Sequence, residues 1–196
     1  MGELYLHNLD YYIQRYGCKT FVETGTGVGT GISHALRSKF DKLYSIEIID
    51  DLYNKCKTNF TDPRLELIHN NSLEGLNKIL REIDNTPCLF WLDAHFPGAD
   101  FKYNSYEYLK DVEELHKPLK LELELILSKR NNQDVFIVDD LQLYEDGPFE
   151  LYNKEFVSKY GDLNSQFLVK MLSKSFSLRR DYRHQGFLIA TPKENS

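Results

Sequence analysis

The chain has 196 residues, 41% of them hydrophobic, and its 30 acidic against 24 basic side chains give a formal charge of −6. That length suits a single domain over residues 1–196. The acidic balance without Lys-Arg runs disfavours a nucleic-acid partner, and no apolar run approaches a membrane span. Cys18, Cys56 and Cys88 are an odd number without close spacing, and the start lacks a basic region followed by an apolar one. The expectation is a reduced, cytoplasmic protein that acts on a small molecule, with neither a disulfide framework nor a zinc site.

In chain order, Leu6, Leu9, Tyr12, Ile13 and Tyr16 recur at helical spacing, so a leading helix is expected over Leu4 to Tyr16, with Gly17 as its stop. Phe21-Val22-Glu23 then runs into glycines at 25, 27, 29 and 31, followed by an apolar-periodic segment to about Phe40. This pattern predicts strand, tight turn and helix. Glycine is required where the backbone must adopt angles forbidden to a Cβ and where a ligand approaches the main chain. The turn does not fit G-x-G-x-x-G from either Gly25 or Gly27, and no Gly-Lys-Ser/Thr follows, so neither a dinucleotide fingerprint nor a P-loop is present.

Lys42 to Glu47 reads as a second strand. Glu47 falls about 20 residues past the first glycine, where a βαβ unit places the carboxylate that accepts ribose hydroxyls. A helix over Leu52 to Phe60, a strand over Leu65 to His69, a turn at Asn70-Asn71-Ser72 and a helix over Leu73 to Ile83 follow. The run Cys88 to His95 is apolar until Asp93, as expected of a central strand buried on both faces. Residues 96–117 are rich in aromatics and longer than a connection needs, which suggests either a lid or substrate wall, or a helix with ordinary packing. Leu119 to Leu127 alternates like a strand. Its Leu, Glu and Lys composition and the need for a crossover before the next parallel strand make Leu119 to Arg130 a helix. Asp134 to Asp140 is another buried strand ending in two acids. Asn164 to Leu172 reads as a helix, and Phe176 to Arg180 with Gln185 to Ala190 as a closing antiparallel pair.

The acid-x-Gly-x-Gly-x-Gly pattern headed by Glu23 resembles the first motif of the class I S-adenosylmethionine (SAM) methyltransferases. Together with Trp91-Leu-Asp-Ala-His95 and Val138-Asp-Asp140, it resembles the macrocin O-methyltransferase-like branch, over most of residues 18–142. The resemblance implies an α/β fold with a doubly wound, mostly parallel seven-stranded sheet and an antiparallel edge strand. It also implies SAM bound by Glu23, Gly25, Thr26, Gly27, Gly29, Glu47 and Asp93, with Asn71 and Ser72 at the adenine. Three carboxylates at one sheet edge repel each other unless neutralised, so Asp93, Asp139 and Asp140 imply a divalent cation, Mg²⁺ being the expected ion. The resemblance makes His95 the base beside Asp93, and the acceptor a hydroxyl or phosphate-linked oxygen of a sugar, a surface-polysaccharide precursor or a secondary metabolite. The alternatives are a metal-independent N- or carboxyl-methyltransferase and a non-catalytic SAM- or nucleoside-binding module.

Overall fold

The computed structural model describes residues 2–193. Its seven strands are β1 (Thr20–Thr24), β2 (Lys42–Glu47), β3 (Leu65–His69), β4 (Cys88–Leu92), β5 (Val135–Val138), β6 (Phe176–Asp181) and β7 (Phe187–Pro192). They form one sheet in the order β3-β2-β1-β4-β5-β7-β6. The first five strands are mutually parallel, and β7 runs antiparallel between β5 and the outermost β6. The order reverses at β1 and β4, which places a ligand crevice beyond their carboxyl ends.

The central strands are apolar throughout because both faces are covered. Phe21, Leu89, Trp91, Val135 and Ile137 point to one side, where they pack with Leu9 and Tyr12 of α1 (Leu9–Tyr16) and Ala35 of α2 (Thr30–Ala35). Val22, Phe90, Leu92, Phe136 and Val138 point to the other, against α4 (Ser72–Glu82), α6 (Leu119–Lys129) and α8 (Gln166–Leu172). Alternation along each strand thus gives two cores from one sheet. The crossover Leu119 to Lys129 is helical, with Leu119, Leu123 and Ile126 buried, so the parallel topology outweighs the period-two pattern of its leucines.

Several boundaries differ from the sequence reading. The leading segment is two pieces, a 3-10 turn over Leu4–Leu6 and then α1, because the Asn8 side chain accepts the Tyr11 N–H and starts a fresh helix. The helix after the glycine turn ends at Ala35 and not near Phe40. α3 begins earlier than expected, at Asp50, and runs to Asn59, since the acids at 50 and 51 suit its positive end. Residues 96–117 are mostly turns, with only the short α5 (Glu113–His116). A helix left unread, α7 (Lys154–Tyr160), is capped by Asn153 through the Phe156 N–H; only Val157 of its residues is buried, so its periodicity is faint. The three cysteines are free and buried, and among the described residues no helix is long and apolar enough to cross a membrane.

Candidate active site

The glycine turn follows β1 directly. Gly25, Gly27 and Gly29 all have positive φ, between +56° and +84°. A Cβ at Gly25 would lie 2.7 Å from the Asp93 carbonyl oxygen, so the turn both needs glycine's angles and presses on β4's end. Behind it, Glu23 is fully buried and accepts the Ser45 hydroxyl, which lies 2.5 Å from the Thr26 hydroxyl. Burial pushes Glu23 up to about 8, against the lowering effect of Ser45.

Glu47, at the end of β2, is held from both sides. Its Oε2 accepts the Gly27 N–H at 2.7 Å and its Oε1 the Ile49 N–H at 2.8 Å. Burial still raises its pKa, although these N–H groups oppose the shift. Its carboxylate is therefore oriented by main chain before any ligand arrives, and free lone pairs remain for hydroxyls. Asn71 and Ser72 both line the same pocket, in different roles. Asn71 caps α4, its Oδ1 accepting the Glu74 N–H at 2.9 Å, whereas the Ser72 hydroxyl is buried without a hydrogen-bond partner.

β4 ends at Leu92, so Asp93 and His95 stand on the loop beyond it. His95 Nε2 donates to Asp140 Oδ2 at 2.8 Å, and Nδ1 faces Asp93 Oδ1 at 3.7 Å. Ligand atoms of Asp93, His95 and Asp140 lie within 4.8 Å of one another. Asp139 is adjacent but outside that trio; its Oδ1 accepts the Asp140 N–H at 2.9 Å. Burial, then Asp140, raise the Asp93 pKa well above the usual carboxylate range. Burial, then Asp93 and Asp140, do the same for Asp139. Burial would lower the His95 pKa, but Asp140, with Asp100 and Asp139, outweighs it, so the pKa is raised. Asp140 itself is in the left-handed region at φ +49°, an angle uncommon for a non-glycine residue, and its Oδ1 is buried without a partner.

These residues fit a divalent cation. The donor set is carboxylate oxygen and imidazole nitrogen, Asp140 helps to raise the pKa of Asp93 and Asp139, and one buried oxygen is unsatisfied. Gly2 lies against the same cluster, where a Cβ would overlap Asp93 Oδ2.

The segment 96–117 folds over the pocket. The Phe101 ring rests on Gly27, Tyr103 accepts from Lys55 Nζ at 2.5 Å, and Phe96, Pro97, Gly98, Asp100, Phe101, Glu114 and Leu115 contribute to the lining. Asp100 escaped the sequence reading. It accepts the Tyr106 hydroxyl at 2.6 Å; burial works against ionisation, but His95 and that hydrogen bond hold its carboxyl below the usual range. An acid five residues past His95 in an aromatic loop was its only signal.

No protein-family description and no curated protein matches the chain. Solved structures do resemble it. A Staphylococcus aureus protein provisionally assigned as a caffeoyl-CoA O-methyltransferase superposes with a TM-score of 0.61 at 17% identity, covering 98% of this chain and 85% of that one. An O-methyltransferase from Bacillus cereus, solved with S-adenosylhomocysteine (SAH), gives 0.59 at 15% identity, covering 94% and 79%. Spermidine synthase from Thermotoga maritima gives 0.58 at 14%, covering 97% of this chain, which spans 59% of that one. The chain thus has the Rossmann-like methyltransferase fold. Because that fold also serves a spermidine synthase, function has to be argued from the site.

Proposed function

We propose that the protein is a SAM-dependent O-methyltransferase acting on a hydroxyl-bearing small molecule, such as a sugar, a glycan precursor or a secondary metabolite. One observation carries the reading. The Gly25–Gly29 turn and a Glu47 carboxylate fixed by the Gly27 and Ile49 N–H groups share one pocket with Asp93 and His95. A nucleoside site and an acid-base site therefore stand on the same sheet edge. The presence of an SAH-bound O-methyltransferase among proteins of this fold supports the assignment by analogy.

In this reading Glu47 accepts the ribose hydroxyls, Ser72 meets the adenine beside Asn71, and Glu23, Thr26 and the glycine turn with Asp93 shape the methionine end. SAM supplies a methyl group on a good leaving group, so the chain's task is to orient the acceptor and remove its proton. Asp140 fixes the His95 ring through Nε2, which leaves Nδ1 to take the acceptor's proton. Asp93, Asp140 and the neighbouring Asp139 would hold Mg²⁺, which when bound lowers the pKa of a coordinated hydroxyl. The 96–117 segment excludes water from above.

Calorimetric titration with SAH and with NAD tests the cofactor assignment. SAH is expected to bind and NAD not to, and Glu47→Ala should weaken SAH by about 1–3 kcal/mol, the scale for losing a charged acceptor. Equal SAH affinity in wild type and variant would remove Glu47 from the site.

A further inference from the structure

Ser45 sits within β2, in register with Glu23 of β1, and is fully excluded from solvent. A hydroxyl in such a place costs free energy unless it is matched. It is matched on both sides. Its proton goes to Glu23 Oε2, and its oxygen meets the Thr26 hydroxyl at 2.5 Å. A hydroxyl has one proton to give, so with that proton on Glu23 it is Thr26 that donates to Ser45. The chain of hydroxyls therefore runs one way and ends on a carboxylate. Glu23 lines the pocket, and its other oxygen, Oε1, stands against Gly31 in the first turn of α2, where a Cβ would overlap it. The titratable groups facing Glu23 are Glu47, Asp93 and Cys56, none of which brings a positive charge. A buried carboxylate without a cation from the chain is suited to one that a ligand supplies.

We infer that Ser45 is a positioning residue that holds the Glu23 carboxylate for the cofactor's amino-acid end, so that the pocket reads the α-ammonium of SAM or SAH as well as the nucleoside. The inference rests on the cofactor reading above, which puts Glu23 at that end without saying what fixes it. The nucleoside end is fixed separately. Glu47 is gripped by the Gly27 and Ile49 N–H groups, and the Gly25 and Thr26 N–H groups bond the Ile46 carbonyl at 3.0 and 3.1 Å. None of these main-chain ties passes through the Ser45 hydroxyl. Removing that hydroxyl takes from Glu23 the donor that holds Oε2, and leaves the glycine turn where it is. A buried carboxylate short of a donor is harder to keep ionised and is free to turn away from the ligand's cation.

The test is calorimetric titration of SAH and of 5′-methylthioadenosine, which keeps the nucleoside and the sulfur but lacks the amino-acid end. Both are titrated into wild type, Ser45→Ala, Glu23→Gln and the double variant. Wild type should bind SAH more tightly. Ser45→Ala should weaken SAH by about tenfold, the scale for one hydrogen bond to a charged group, and 5′-methylthioadenosine by less than about twofold. Glu23→Gln should show the same selectivity, and the double variant should be little worse than either single one, because both act through one carboxylate. Equal losses for the two ligands in Ser45→Ala would mean a merely structural role and overturn the inference. Undiminished SAH binding, or a full Ser45→Ala loss in the Glu23→Gln background, overturns it too. Should Ser45→Ala not fold, Ser45→Cys, with a weak donor at the same point, takes its place under the same readings. Wild type that binds 5′-methylthioadenosine as tightly as SAH overturns the inference and leaves the nucleoside site standing. Wild type that binds neither compound removes the cofactor reading, and the inference with it.

Discussion

His95→Gln and Asp140→Asn should each lower turnover by about a hundredfold or more, the usual contribution of a positioned general base, while leaving SAH affinity nearly unchanged. The two side chains meet at 2.8 Å through Nε2, so they are expected to act as one unit. The double variant should therefore be little worse than either single one, since effects within a catalytic unit do not add. pH gives a further check. Asp140, with Asp100 and Asp139, raises the His95 pKa despite burial, and a base works only when deprotonated. Activity should accordingly climb with pH, with its midpoint above the ordinary histidine range. Asp140→Asn should move that midpoint down. Wild-type turnover in His95→Gln would leave deprotonation to the acceptor's own pKa.

The second large effect concerns stability. Arg130 and Asp134, with side chains 3% and 1% exposed, form a two-pronged ion pair at 2.8 and 3.0 Å. Arg130 also donates to the Thr86 carbonyl at 2.7 Å and to the Asp84 carbonyl, while Asp134 accepts the Cys88 N–H at 2.8 Å. The cluster ties the entry of β5 to the entry of β4, the strand that delivers Asp93 and His95. Asp134→Asn keeps the shape and leaves the guanidinium buried without its counter-charge, which typically costs about 3–5 kcal/mol. Urea unfolding should register that loss as a lower midpoint with little change in slope. Substituting both partners by apolar residues should cost less than Asp134→Asn alone, because no orphaned charge remains. A loss under about 1 kcal/mol in Asp134→Asn would mean that the pair is solvated in solution.

Much of this architecture was legible in the chain because parallel strands buried on both faces leave a strong mark. Cys88 to Leu92 and Val135 to Val138 are unbroken apolar runs, and acids follow each. The site's acids were legible for the same reason, since a carboxylate stands out at the end of such a run. Partnerships were not. That Asn71 would spend its oxygen on the Glu74 N–H depends on where α4 starts by a single residue. That His95 would join Asp93 and Asp140, with Asp139 beside them, depends on Asp140 taking a left-handed conformation, which no composition rule predicts. Ser45 looked like one polar residue in an apolar strand, and only packing sets it between Glu23 and Thr26.

Methyl transfer itself is the most direct test. The protein, supplied with SAM and a panel of hydroxyl, amine and carboxylate acceptors, would be assayed by mass spectrometry, with and without EDTA and with Mg²⁺ restored. Gain of one methyl group on a hydroxyl acceptor, lost on chelation and recovered with Mg²⁺, is the predicted result. SAH binding with no methyl transferred to any class of acceptor would contradict it, and would leave a nucleoside-binding module in its place.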